Sequence, residues 1–134
     1  MYIHKVQYYE TDKMGVTHHS NYIRFMEEAR TDFLEKLGYG YDRMEREGII
    51  SPVISVSCDY KKSTTYADEI YLEVRVCELS PVRISLLYEM KCGEDTVCIG
   101  KSSHCFLSKE GKILSLKREI PEFYAKMAEI LVKE

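Results

Sequence analysis

A single switch of hydrophobic period divides the chain and limits what it can fold into. Between residues 22 and 37, Tyr22, Phe25, Met26, Ala29, Phe33 and Leu37 recur at spacings of three and four, while Arg24, Glu27, Glu28, Asp32 and Lys36 take other positions. That spacing predicts an amphipathic helix. From Val53 onward the period is two. Ile54, Val56, Cys58 and Tyr60 alternate with Ser55, Ser57 and Asp59, and Ile70, Leu72, Val74 and Val76 alternate with Glu69, Tyr71, Glu73 and Arg75. A third run, Ile84 to Cys92, turns at Gly93-Glu94-Asp95 into a fourth from Thr96 to Ser108. Half-buried antiparallel strands carry such alternation, and four in succession predict a meander.

The ends of the helix are also marked. Gly38 suits a C-terminal cap, and Ser20 or Asn21 has a side chain able to accept from the free N–H groups of the first turn. A last helix after Pro121 carries Phe123, Tyr124, Met127, Ile130 and Leu131 on one side, with Pro121 suited to its first turn. The predicted order is strand, helix, four strands, helix. One long helix ahead of a sheet hides its apolar stripe when the sheet curls around it, so the expected class is α+β. Such a sheet has edges and an outer face to protect, and pairing of subunits is a common remedy; a homodimer or homotetramer is expected. With no linker or repeat, residues 1–134 read as one domain.

Composition excludes several functions. There are 19 basic against 22 acidic residues, a net charge of −3, and no basic block, so the footprint of a nucleic-acid binder is missing. No apolar run approaches the roughly 20 residues that span a bilayer. The N-terminus turns charged at once, unlike a secretion signal. Cys58, Cys77, Cys92, Cys98 and Cys105 are odd in number and form no C-x-x-C pair, which argues against a disulfide framework or zinc knuckle and for a cytoplasmic home. Each reads as a small hydrophobe on a strand. No Gly-rich phosphate loop or dinucleotide fingerprint is present, and no resident cofactor or metal is expected.

The segment from Tyr8 to Tyr22 is less generic. Asp12 precedes Gly15 in a loop that leads into a helix N-terminus, where unpaired N–H groups and the helix dipole favour developing negative charge. A carboxylate facing such donors suits acyl transfer: one group attacks or activates water, the other stabilises the oxygen that becomes negative. Asp12 as a plain turn-former ahead of Gly15 is the competing reading. A metal held by His18, His19 and Asp12 is disfavoured, because adjacent histidines on a loop seldom point at one ion. Glu27, Glu28 and Arg30 read as helix-surface or subunit-interface pairs, with a catalytic carboxylate on this helix as the competing reading.

Thr11-Asp12, Gly15-Val16, His19 and Tyr22, continued by Glu27-Glu28-Ala29-Arg30, resemble the signature of the 4-hydroxybenzoyl-CoA thioesterase family, in particular its YbgC-like acyl-CoA thioesterases. Pro52-Val53, Tyr60, Ala67-Asp68-Glu69, Arg83-Ile84-Ser85 and Gly111-Lys112 extend the resemblance nearly end to end. Lys5 and Thr17 depart from it, standing where the family usually has Gln or Arg and Val. The resemblance implies the hot-dog fold, an antiparallel sheet wrapped around a long central helix, here with an extra C-terminal helix. It implies hydrolysis of acyl-CoA, with Asp12 as nucleophile or general base and the backbone N–H of His19 polarising the thioester carbonyl. Gly15 and Tyr22 would line the substrate site, and Lys61, Lys62 and Arg83 would meet the CoA phosphates. Alternatives on the same fold are hydrolysis of acyl carrier protein thioesters, dehydration of a 3-hydroxyacyl thioester, and acyl-CoA binding without catalysis.

Overall fold

The computed structural model describes residues 1–131. Helix α1 spans Ser20–Lys36, against a predicted 22–37, and is closed by a glycine. Gly38 adopts φ +83°, its N–H donates to the Glu35 carbonyl, and that of Tyr39 to Leu34. This pair of bonds answers carbonyls that the helix end would otherwise leave open. The start differs from expectation. Ser20 Oγ bonds to His18 Nδ1 and Asn21 Nδ2 donates to the Glu10 carbonyl, so neither side chain caps the first turn; His19 occupies the cap position.

Five strands form the main sheet: β1 (Tyr2–Lys5), β3 (Val53–Tyr60), β4 (Glu69–Leu79), β5 (Arg83–Cys92) and β6 (Asp95–Cys105). All pairings are antiparallel, in the order β1-β4-β5-β6-β3. The meander therefore holds for β4 to β6 only. β3 lies at the far edge against β6, and its connection to β4 crosses the end of the sheet. The final predicted strand also breaks: Phe106 is buried, and Leu107–Ser108 (β7) pairs with β2 (Ile49–Ile50) in a separate two-stranded sheet. Short helices α2 (Tyr41–Arg46) and α3 (Leu116–Glu119) were not anticipated; α4 (Pro121–Ile130) was, with Pro121 in its first turn.

The core lies between α1 and the sheet. Tyr22, Phe25, Met26 and Ala29 are buried with Ile70, Leu72, Leu86, Tyr88, Met90 and Cys98. Gly100 permits the close approach: a β-carbon there would stand 2.7 Å from Met26 Sδ. Arg30 corrects the surface-pair reading. It is buried, donating to the hydroxyls of Tyr41 (2.6 Å) and Tyr88 (3.3 Å), which answer a guanidinium that would otherwise be costly to bury. Glu28 pairs with His4 instead, and Glu27 approaches Arg30 only to 3.8 Å. All five cysteines sit on strands, Cys98 fully buried and the rest half-buried. Among the described residues no helix is long and apolar enough to cross a membrane.

Candidate active site

The segment between β1 and α1 begins with a 3-10 turn, Tyr8–Glu10, and then folds back on itself. Thr11 and Thr17 form an isolated bridge, Asp12 N donates to the Val16 carbonyl at 2.9 Å, and Gly15 N to the Asp12 carbonyl at 2.9 Å. Gly15 turns the chain with φ +78°, a conformation that costs a residue with a β-carbon about 1 kcal/mol. The Asp12 side chain is half-buried. Its Oδ1 accepts the Met14 N–H at 2.8 Å, the turn-forming contact, while Oδ2 has no hydrogen bond among the described residues.

The connection from β3 to β4 holds this loop from outside. Thr17 N donates to the Thr64 carbonyl at 2.8 Å, the Thr17 and Thr64 hydroxyls meet at 2.6 Å, and the Tyr22 hydroxyl reaches Thr64 Oγ1 at 2.8 Å. Thr65 Oγ1 donates to the Gly15 carbonyl at 2.7 Å. Ala67, in the same connection, is held at φ +73°, an unfavourable backbone for alanine, with its N–H on the Val6 carbonyl.

At the start of α1 most backbone donors are committed. Ser20 N is 3.3 Å from His18 Nδ1, Asn21 N donates to the His18 carbonyl, and Tyr22 N to that of His19. The His19 N–H has no acceptor among the described residues, so the anion-binding capacity expected of the whole helix start narrows to this one group. The His19 ring is exposed, stacks on His18 at 4.3 Å, and meets the Tyr60 ring edge-on at 6.0 Å.

A cavity of about 220 Å³ opens here, lined by Thr17, His19, Tyr22, Tyr60, Lys61, Lys62 and Ser63. Four residues singled out from sequence, His19, Tyr22, Lys61 and Lys62, thus share one wall. Lys62 is paired with Asp95 at 3.0 Å. Asp12 and Gly15 sit outside the lining, across the Thr11–Thr17 bridge. Arg83 begins β5 at the opposite end of the sheet from Tyr60, roughly 20 Å away by strand rise. Tyr60 and Thr17, which line the cavity, and Thr64, which holds Thr17 and Tyr22, were missed as site residues; the hydroxyl run Ser63-Thr64-Thr65 after two lysines is a signal that could have found Thr64.

Burial, and then the neighbouring Cys58 thiol, pushes the Tyr60 hydroxyl up to about 12, and burial raises that of Tyr22. Both phenols are therefore donors rather than bases near neutrality. Burial and then Cys58 likewise hold the Cys98 thiol up at about 12, so it is no nucleophile. Among the described residues no three His, Cys, Asp or Glu side chains cluster as a metal would require. A larger cavity, about 500 Å³ between β2 and α4, carries Glu47, Glu119 and Glu122 but no donor set of this kind.

The thioesterase-like superfamily matches the chain over residues 6–131. A solved structure of a hypothetical protein from Aquifex aeolicus is 35% identical with a TM-score of 0.86, covering 92% of this chain and 97% of that one. The DHNA-CoA thioesterase from Staphylococcus aureus is 32% identical with a TM-score of 0.91, covering 96% of this chain and 88% of the other. An acyl-CoA thioesterase, YbgC, from Haemophilus influenzae is 28% identical over 74% of this chain and 72% of its own length. The chain therefore belongs to the thioesterase-like superfamily and is a thioesterase of the hot-dog fold.

Proposed function

We propose that the protein hydrolyses acyl-CoA thioesters to free acid and CoA, with Asp12 as nucleophile or general base and the His19 N–H polarising the thioester carbonyl. One observation supports this reading: His19, whose N–H has no acceptor among the described residues, lines a cavity that also presents Lys61 and Lys62, one bridged turn from the half-buried carboxylate of Asp12. An N–H aimed where the carbonyl oxygen becomes negative is the stabilisation acyl transfer needs, and a thiolate departs without strong acid help. Asp12 Oδ2 supplies the attacking or proton-accepting lone pair. Lys61 and Lys62 are cations for CoA phosphate oxygens, and Gly15 gives the turn that leaves the mouth of the loop open. Two similar proteins named for acyl-CoA and DHNA-CoA hydrolysis support the substrate class.

Two copies complete the assembly in this reading. β3 is an edge strand exposed on nearly every residue, with Val53, Ile54, Val56 and Tyr60 all open to solvent, and an uncovered apolar edge invites a second strand. Five thiols without a disulfide fit a reducing cytoplasm.

The test incubates the protein and its Asp12→Asn variant with short, long and aromatic acyl-CoAs and follows loss of the thioester. Hydrolysis by the native protein alone is expected. Equal hydrolysis by both removes Asp12 from the mechanism. Tight acyl-CoA binding with no turnover converts the reading to a binding protein, and enoyl absorbance with the thioester intact converts it to a dehydratase.

A further inference from the structure

Glu10 is only 5% exposed, yet it gathers contacts from three parts of the chain. Its Oε1 accepts the Gln7 N–H at 2.7 Å and lies 2.8 Å from His4 Nε2. Its backbone carbonyl accepts the His18 N–H at 2.8 Å and Asn21 Nδ2 at 2.9 Å. Glu10 stands two residues before Asp12, and His18 and Asn21 flank His19, so this one residue ties together both halves of the proposed chemistry.

His4 extends the tie to the body of the helix. Its second ring nitrogen, Nδ1, is 2.9 Å from Glu28 Oε1, which also accepts the Tyr2 hydroxyl at 2.6 Å. The ring stacks on Phe25 with centroids 3.9 Å apart and planes inclined by 29°. An ionised carboxylate only accepts, and a neutral imidazole offers a single N–H; donation to both carboxylates takes the imidazolium. The charged and titratable surroundings agree. The 3-10 turn contributes Glu10, and α1 contributes Glu28, with Arg24, Glu27 and Asp32 further along the groove that Tyr2 shares. β1 itself contributes Tyr2, and β4 sets apolar Ile70 opposite His4, while Glu69 pairs with Lys5 in the next register position.

We propose that His4 is a positioning residue for thioester hydrolysis: as a cation gripped between Glu10 and Glu28, it clamps the Asp12 segment and the N-terminus of α1 into one geometry. The inference rests on the thioesterase reading above for its catalytic consequence, while the clamp itself is observable without turnover. His4 neither lines the cavity nor bonds to Asp12. Its effect passes through Glu10, and loss of the clamp is expected to lower kcat and leave binding almost unchanged, because Tyr60, Lys61 and Lys62 reach the cavity from the end of β3.

Two variants separate the roles. His4→Gln keeps one donor without charge, and His4→Phe keeps the stack on Phe25 without a donor. For folded protein of either variant, kcat on an acyl-CoA is expected to fall about tenfold with KM changed less than twofold. A kcat within twofold of native in folded His4→Gln, even with a lowered Tm, reduces His4 to a structural residue and overturns the proposal. In the native protein near pH 6, nitrogen-15 NMR is expected to show two slowly exchanging ring N–H protons on His4; a single one overturns the bridge. Exchange of the His18 amide is expected to quicken about tenfold in His4→Gln, and unchanged exchange overturns the clamp. Should the native protein hydrolyse no acyl-CoA, the functional reading falls, and the ring protons and the His18 amide still decide the clamp by themselves.

Discussion

The Tyr60 hydroxyl donates to the carbonyl oxygen of His19 across 3.2 Å, fastening the last residue of β3 to the peptide that opens α1. The bond spans 41 positions of sequence, and it bears on the residue proposed to polarise the thioester carbonyl. Phe at position 60 retains the edge-on ring contacts with Tyr22 and His19 and loses the hydroxyl's contact with Cys58 and this bond, worth about 1 kcal/mol net. Tyr60→Phe is therefore expected to reduce kcat on an acyl-CoA about fivefold, with Tm lower by only a few degrees, as steady-state kinetics and a thermal melt will record.

Asp12 is both turn-former and proposed catalyst, and two substitutions pull these roles apart. Asn retains an oxygen for the Met14 N–H, so Asp12→Asn is expected to keep its stability while kcat falls by a factor on the order of 100 to 10,000, the usual range for a general base. Asp12→Ala loses the turn contact too and is expected to be less stable by about 1 kcal/mol at the same residual rate. Denaturant titrations alongside kinetics measure both.

A polar chain runs through the core from Arg30 to the Tyr88 hydroxyl, on to Ser102 Oγ at 2.7 Å and His104 Nε2 at 2.7 Å. Tyr88 is its middle link. Tyr88→Phe leaves Arg30 and Ser102 each short of a partner inside the protein, and a destabilisation of about 1–3 kcal/mol is expected in urea unfolding.

The far end of that chain is sensitive to acid. His104 is 2% exposed, its Nδ1 is buried without a partner among the described residues, and burial, with the charge of Arg30 second, pulls its pKa from 6.5 down to about 4. The unfolded chain thus takes up a proton that the folded one refuses. Stability is full above pH 6.5, declines as pH falls from 6.5 toward 4, and loses nothing further through this group below that. The loss amounts to about 3 kcal/mol. His104→Asn carries no such proton, so the native-minus-variant difference in stability is expected to shrink across this window in melts at stepped pH.

Local periodicity made the main elements legible. The three-and-four spacing of Tyr22 to Leu37 and the glycine after it describe α1 to within two residues, and alternation locates the four long strands. What alternation cannot say is which strand lies beside which: β3 and β4 follow one another in sequence, yet β6 takes β3 because pairing is decided by long-range contact. α2 spans six residues, too few turns to show a period. Arg30 reads as a surface residue by its charge and is buried because Tyr41 and Tyr88, distant in sequence, supply acceptors. In the site, His19, Tyr22, Lys61 and Lys62 were visible from motif and charge. Tyr60, Thr64 and the His4–Glu10–Glu28 bridge were not, since each depends on a backbone brought close by another element.

Because β3 sits at the edge remote from β1, the chain between Tyr60 and Glu69 must travel across the end of the sheet, and there it meets the Asp12 loop through Thr64 and Thr65. The loop thus owes its shape to partners 42 to 50 positions downstream. Closing such long stretches of chain is slow compared with forming a helix. During synthesis the motif around Asp12 leaves the ribosome well before the segment that shapes it, and a nascent chain halted at Tyr60 holds Asp12 and His19 without the segment that fastens their loop. On the proposed chemistry, activity therefore requires the crossing and reports that it has formed.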